Sequence, residues 1–468
     1  MSTQLPVQQA ERLQAIVADF ADRVKELWAF SQTQPELSLA DLECKARQLA
    51  ADCFAAPLQF ALEQQRRQAE DIARLASQPC ACGNAWHNKG TQSRTIITFL
   101  GELVLERSYY YCELCRQGYY PLDEALALDG THFSDAVQQA VSLLGAELSF
   151  APAADTLLSL SGISVSVREA ERLTEARGAA LEQACQAEQQ QVLAGGAAAA
   201  ALLHRWQQAQ AQRPVAAGSW AVALDAAKAL FVDGWHEIKA GVVFRALPYP
   251  LKGGRKGEWD GATATAQSYI AEVGDIAAAA SRLSLEVMRR GIGADERIIC
   301  LGDGAAGNWN QFALQFPRRV EVLDWYHAVE HLWAAGNGMY GQGSKEAKEW
   351  VSEREKELWK GQVAGVVGVL QALEALGGVI GAAAGEQVHY FETNQERMHY
   401  AEYRAAGYPI GSGTVESTCK RLIGARIKGA GMRWSKLGAQ AVLTLRAELL
   451  SGRWEQAWLQ TRPAAKVA

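Results

Sequence analysis

SWAVALD (Ser219–Asp225) and ERIICLGDG (Glu296–Gly304) are two apolar runs, each ending in an aspartate. Their length and branched side chains predict buried strands. Between them HEIKAGVVFRALP (236–248) reads as a further strand, and Ala264 to Arg290 as a helix. A short helix over Trp309–Gln315 and the run VEVLDWYH (320–327) follow. Strands alternating with helices imply a mixed sheet with helices packed on it. From Ala328 to about Arg404 the pattern is helical throughout, and after YPIGSGT (408–414) another helix begins near Val415. A helical insertion is therefore expected inside an α/β unit.

Outward from this core, apolar residues recur at helical spacing from Gln8 to Ala76. RTIITFLGELVLERSYYYC (94–112) reads as a hairpin turning at Leu100-Gly101. The run LLSLSGISVSVREAERLTEARG (157–178) places Gly162 between two amphipathic stretches, with Ser164 or Ser166 as N-cap. Such a pair resembles a helix-turn-helix whose second helix, about Ser166 to Ala176, presents Arg168, Glu171 and Arg172; an ordinary helical hairpin fits as well. The Gln/Ala-rich stretch before Gly218 reads as a partly helical linker. The expected parts are helices (1–78), a zinc-ribbon hairpin (79–130), a helix-turn-helix-like unit (131–182), a linker (183–217), a catalytic core (218–327 and 405–460) and its helical insertion (328–404).

The chain has 468 residues, 49% hydrophobic and 21% charged, with formal net charge -6. That balance supports buried cores and argues against wholesale disorder. Val363 to Gly385 is apolar but interrupted by Gln371, Glu374 and Gly377-Gly378, so buried helices are expected and no membrane span. No basic-then-apolar leader opens the sequence, which predicts a cytoplasmic protein. The acidic total does not favour nucleic acid; basic residues concentrate locally, from Arg404 to Lys436.

Cys80, Cys82, Cys112 and Cys115 flank the hairpin, whose folding brings both pairs to one end. Four thiolates suit a closed tetrahedral Zn²⁺ site, with His87 able to replace one of them. Lys89, Arg94 and Arg107 are available to touch phosphates.

Asp225 and Asp303 at strand ends can share one crevice, and Glu416 opens the helix after Gly411-Ser412-Gly413. Three carboxylates so placed can hold one or two Mg²⁺ (or Mn²⁺) ions, with Lys420, Arg421, Arg426, Lys428 and Arg433 against a phosphate backbone. Two ions support in-line displacement at a phosphodiester.

These residues carry a resemblance. CACG (80–83) with ERSYYYCELC (106–115), WHEIKAGVVF (235–244), GDGAAGNWN (302–310) with LDWYHAVEHLW (323–333), and YPIGSGTVESTCKRLIGARIKGAGMRWSKLGAQAVLTLR (408–446) resemble bacterial insertion-sequence transposases of the Kra group. The likeness spans about Cys80 to Trp454. It implies a ribonuclease H-like DDE domain with Asp225, Asp303 and Glu416 as the catalytic triad, and Ala328–Arg404 as the insertion. It also implies DNA partners, namely terminal inverted repeats and target DNA, and a homo-oligomer that joins two ends, in a bacterial cytoplasm and on the nucleoid. The family usually has glycine after its first aspartate; here Ala226 and Ala227 follow.

An alternative is a transposase-derived DNA-binding protein without catalysis. His327-Ala-Val-Glu330-His331 also matches the zinc motif of inverted metalloproteases, although no third ligand stands out downstream. In the transposase reading Asp324, His327 and His331 support the site. Trp325, Trp333, Trp350 and Trp359 are expected mainly in the core, and Gly253-Gly254-Arg255-Lys256-Gly257 in a basic loop.

Overall fold

A computed structural model describes residues 7–32, 37–75, 80–211, 217–411 and 413–462. It is a mixed α/β chain with two sheets, divided into two compact units: residues up to Leu144 with Phe150–Leu173, and Gly145–Ser149 with Thr174–Thr461. Ser412, in the Gly-Ser-Gly turn, lies outside the described residues.

The first unit opens with two long helices, α1 (Val7–Gln32) and α2 (Leu39–Leu75). The hairpin follows as β1 (His87–Thr98) and β2 (Gly101–Tyr111), with the short β3 (Gly118–Tyr119) completing an antiparallel sheet in the order β1-β2-β3. Thr98 pairs with Gly101 across Phe99-Leu100, and Gly101 takes a φ of +103° that a side chain would strain. Next come α3 (Pro121–Ala125), α4 (Asp135–Glu147), α5 (Phe150–Ser161) and the start of α6 (Val167–Ala194), whose residues from Thr174 on belong to the second unit. Val137, Val141, Leu157, Ile163 and Leu173 form one core among the last three helices. Gly162, at φ +72°, ends α5, and the Ser166 hydroxyl accepts the Glu169 amide at 3.1 Å to start α6.

The second unit holds α7 (Gly196–Ala211), β4 (Ser219–Phe231), β5 (Gly234–Pro250), β6 (Trp259–Val273), α8 (Ile276–Arg289), β7 (Ile298–Gly302), α9 (Ala306–Gln315) and β8 (Arg319–Leu323). Five helices follow: α10 (Trp325–Tyr340), α11 (Lys345–Trp359), α12 (Val363–Glu374), α13 (Gly378–Asn394) and α14 (Tyr400–Ala405). The chain then forms α15 (Gly413–Thr418), a wide-turned π segment (Cys419–Gly424), α16 (Ala425–Ile427), α17 (Lys436–Leu450) and α18 (Trp454–Thr461). The sheet order is β6-β5-β4-β7-β8, with β4, β5 and β6 antiparallel and β4, β7 and β8 parallel. Central β4 and β7 are buried from Trp220 to Leu224 and from Ile298 to Gly302, which is why they read as unbroken apolar runs. One continuous core joins Val222, Leu224 and Cys300 of the sheet to Leu332, Leu370 and Phe391 of the inserted helices. Each such side chain contributes about 1.5–3 kcal/mol on burial.

Several expectations are corrected. β4 does not stop at Asp225: it runs six residues further, paired with β5 as far as Phe231↔Gly234. Ala264 to Val273 is strand, not helix, because Thr263, Thr265, Tyr269 and Ile270 suit an edge strand; the helix begins only after Asp275, whose side chain accepts the Ala277 amide at 3.0 Å. The Gln/Ala-rich stretch continues α6 to Ala194, well past Ala176, and then forms α7, whose Leu202 and Trp206 pack on Leu285. Alanine and glutamine favour helix strongly enough to need few large apolar anchors. Trp350 is core, whereas Trp359 is partly exposed with the Arg404 guanidinium over its ring. Among the described residues no helix is long and apolar enough to cross a membrane.

A buried ionic cluster joins α6, α8 and α17. Arg453 pairs with Glu286 at 2.7 Å and Glu448 at 2.6 Å, and Arg289 with Glu448 at 2.9 Å and Glu188 at 2.6 Å. Burial pushes the Glu448 carboxyl up, but Arg453 and Arg289 outweigh it and hold the group at about 2. That stabilisation is present at neutral pH and is lost as the pH falls towards 2. Glu448→Gln leaves two guanidinium groups undercompensated, so we expect a loss of about 3–5 kcal/mol and a melting temperature roughly 10 °C lower by scanning fluorimetry.

Candidate functional site

The parallel β4–β7 ladder pairs Ala223 with Leu301 and ends there. Two residues further along each strand's direction stand Asp225, still paired with Ala240 of β5, and Asp303, in the turn after β7, and the Asp303 charge acts on Asp225. Asp303 follows Gly302 in a sharp turn: its Oδ1 accepts the Ala305 amide and Asn308 Nδ2, each at 3.0 Å. Gly304 takes φ +99°, and the Tyr390 ring packs where its Cβ would be. Tyr390, from α13, also donates its hydroxyl to the Asp303 carbonyl at 3.2 Å.

Asp225 is half-buried, and its Oδ1 accepts the Ala226 amide at 2.7 Å. Burial raises its pKa and the Asp303 charge raises it further, against lowering by the Ala226 amide, Cys419 and His327. Among the described residues neither aspartate is paired with a lysine or arginine. Two carboxylates that repel one another and are paired with neither lysine nor arginine favour a bound cation, although the charged His327 imidazole offsets part of that repulsion.

The Glu416 segment reaches the same rim. The Trp325 amide donates to the Ile410 carbonyl at 2.8 Å, tying the YPIG turn to the start of α10. α15 lies against β4 and β5, and Cys419 Sγ stands 3.4 Å from Asp225 Oδ2. Glu416 itself is exposed and paired with Lys420 at 2.7 Å, which holds its pKa down. The three carboxylates do not gather within 4.8 Å of one another.

Asp324 is fully buried and caps α10 by accepting the Tyr326 amide at 2.6 Å. His327 Nδ1 lies 3.7 Å from Asp324 Oδ2, and this carboxylate, with Glu330 and Asp303 behind it, raises the imidazole to about 9 against the lowering effect of burial. The stabilisation from protonated His327 is full below about 6.5 and lost as pH rises through about 9. An NMR titration of the His327 ring is expected to show a midpoint near 9, falling towards the ordinary value in Asp324→Asn. His331 is occupied differently: it stacks on Tyr390 at 3.5 Å and donates Nδ1–H to Gln387 at 2.6 Å.

The basic residues divide. Lys420, Arg421, Lys428 and Arg433 of the second unit are exposed; in the first unit Arg168 and Arg172 on α6 are exposed too, although Arg172 is bound to Glu169. Arg426 is not available to a phosphate: it is buried against Trp434 and donates to the Gly145 carbonyl at 2.8 Å. The apolar positions around it, Leu422, Ile423 and Ile427, turn that face of the segment inward. Arg94 and Arg107 are likewise taken up by Asp123.

Cys80, Cys82, Cys112 and Cys115 bring their sulfurs within 4.8 Å of one another. Each pair sits in a tight turn: Gly83 donates to the Cys80 carbonyl at 2.7 Å, and Arg116 to the Cys112 carbonyl at 2.9 Å. The Cys115 amide, directed at the Cys112 sulfur, lowers that thiol, while the hydrogen bond to Cys80 raises Cys115, so the clustered thiols share their protons unequally. These four residues can hold a metal ion such as zinc. Among the described residues no other group of three His, Cys, Asp or Glu ligands gathers this closely.

Sequence reasoning missed Asn308, Tyr390 and Cys419 as neighbours of the aspartates. Asn308 and Cys419 lie inside motifs already singled out, five residues after Asp303 and three after Glu416; Tyr390 carries no local signal.

The profile of an uncharacterised protein family, UPF0236, matches residues 32–198. No curated protein matches the chain. The matched stretch includes all four clustered cysteines and ends before β4, so Asp225, Asp303 and Glu416 lie outside it.

Proposed function

We propose that the chain is a DDE-type DNA transposase whose second unit is a ribonuclease H-like domain cutting and joining phosphodiesters, with Asp225, Asp303 and Glu416 as its acids. The observation that supports this reading most is the β4–β7 register, which puts Asp225 and Asp303 each two residues past the last paired position, with no lysine or arginine paired to either among the described residues. The sheet order, with one antiparallel strand next to the first, supports it. So does the motif resemblance from Cys80 to Trp454.

The donor set fits hard divalent cations such as Mg²⁺, since it offers carboxylate oxygens, and a bound cation would displace Lys420 from Glu416 and face the charged His327. Bound there, such ions activate a water or 3′-hydroxyl and stabilise the leaving oxygen. Asp303 is fixed by Asn308 and the Ala305 amide, so its second oxygen is presented in one direction. Asp225, part-buried, resists solvent screening. Glu416 completes the set only by leaving Lys420, which then joins Arg421 and Lys428 in facing DNA phosphates. In the first unit Arg168, and Arg172 once it leaves Glu169, contact element ends, and we assign the four thiolates to a structural Zn²⁺. Incubating supercoiled DNA carrying candidate ends with Mg²⁺ and the purified chain tests the reading: nicking and strand transfer are expected.

The second reading, a DNA-binding derivative without catalysis, draws on the outward Glu416–Lys420 pair and on Ala226-Ala227, which here continue the β4–β5 ladder opposite Lys239 and Ile238. End-specific binding without cleavage under any divalent ion would select it.

A further inference from the structure

α1 has no buried residue, although it is rich in large apolar side chains. Its positions Ala10, Leu13, Val17, Phe20, Val24, Leu27 and Ser31 follow alternating steps of three and four, the spacing of a helix–helix seam. α2 packs mainly on the neighbouring face of α1: Ile16, Arg23 and Phe30, seven residues apart, are half-buried, Arg12–Glu63 and Lys45–Glu26 pair at 2.6 Å each, and Phe54 meets the edge of the stripe at Phe20 with ring centroids 6.2 Å apart. Leu13, Val17, Phe20, Val24 and Trp28 are left 38–68% exposed. α2 adds Leu39 and Phe54 to the same surface, and a groove of about 460 Å³ runs beside Val24, Leu27, Trp28, Leu39, Leu42 and Ala46.

We infer that this stripe is the seam of a homodimer in which α1 packs antiparallel against α1 of a second copy. Three arguments favour a second copy as the occupant. The stripe is self-complementary: a two-fold axis beside Phe20 sets Val17 against Val24 and Leu13 against Trp28, so one patch meets itself and the contact closes. The exposed parts of Leu13, Val17, Phe20, Val24, Trp28, Leu39 and Phe54 amount to roughly 700 Å² per copy, close to the ~800 Å² per partner of a stable interface. The polar side of α1 carries Glu11, Asp19, Asp22 and Glu26 against Arg12, Arg23 and Lys25, a net acidic balance that suits a lipid surface poorly. The inference is independent of the chemistry proposed above.

Sedimentation of the full chain without DNA at about 20 µM, where a micromolar dimer is populated, tests it. The expected mass is twice the 50.8 kDa of one chain. The double variant V17D/V24D, altered only at exposed positions, is expected to halve that mass while keeping its far-ultraviolet circular dichroism and melting temperature. Mixing Val17→Cys chains with Val24→Cys chains and adding a short bismaleimide is expected to link the two new thiols to each other, identified by peptide mass spectrometry against the unsubstituted chain. A monomeric parent chain, a dimer that survives V17D/V24D, or Val17→Cys linking only to itself overturns the seam. So does a monomer that floats with phosphatidylcholine–phosphatidylglycerol vesicles, which would assign the stripe to lipid.

Discussion

Asp303→Asn is expected to lower Mg²⁺-dependent nicking of end-bearing supercoiled DNA by about a thousandfold, and Asp225→Asn by a similar factor. The substitution keeps size and hydrogen bonding: an amide oxygen still accepts from Ala305 and Asn308, so the turn after β7 holds. What is lost is one negative charge facing the cation. Charge stabilisation by a bound metal is worth several kcal/mol, and ~4 kcal/mol corresponds to about three orders of magnitude in rate. Gel quantification of nicked product over time gives the ratio, and melting temperature checks that the fold persists. Equal nicking by the parent chain and Asp303→Asn would remove the triad from the mechanism.

Cys112→Ser is expected to reduce bound zinc from one per chain to none and to open the end of the β1–β2 hairpin. The reason lies in how little that end buries. His87 to Ser93 of β1 are all exposed, and the hairpin's own small core, Ile96 and Leu105 with Leu122, sits nearer the turn. The cysteine end is held by surface contacts such as the Trp86 ring on Tyr119 at 4.6 Å and the exposed Lys89–Glu113 pair at 2.8 Å, beside the four thiols. Structural zinc supplies about 10–16 kcal/mol in small domains of this kind, more than those surface contacts provide. Metal analysis gives the stoichiometry, and hydrogen exchange over residues 80–119 should rise on chelation as it does in Cys112→Ser. Zinc retained in Cys112→Ser would place the ion elsewhere.

The sequence made some parts of this arrangement plain and hid others for physical reasons. β4 and β7 were legible because strands covered on both faces need unbroken apolar runs, and an aspartate ending such a run is conspicuous. β6 was not: an edge strand built from Ala, Thr and Gln satisfies a helical pattern nearly as well, and only its pairing with β5 decides. The cysteine cluster was legible because a hairpin fixes which ends meet. The fate of Arg426 was hidden because basic residues look alike in sequence, and burial against Trp434 depends on how the π segment turns. Wide turns of this kind recur at functional positions and leave no simple sequence period.

Tyr390 bonds to the carbonyl of Asp303 and fills the space beside Gly304, yet it belongs to a helix more than eighty residues downstream. The inserted helices are thus a brace for the acidic turn rather than a spacer between two acids. Shortening that insertion would slacken the turn even with every carboxylate intact, and whatever grips α13 from outside has a mechanical line to the aspartate.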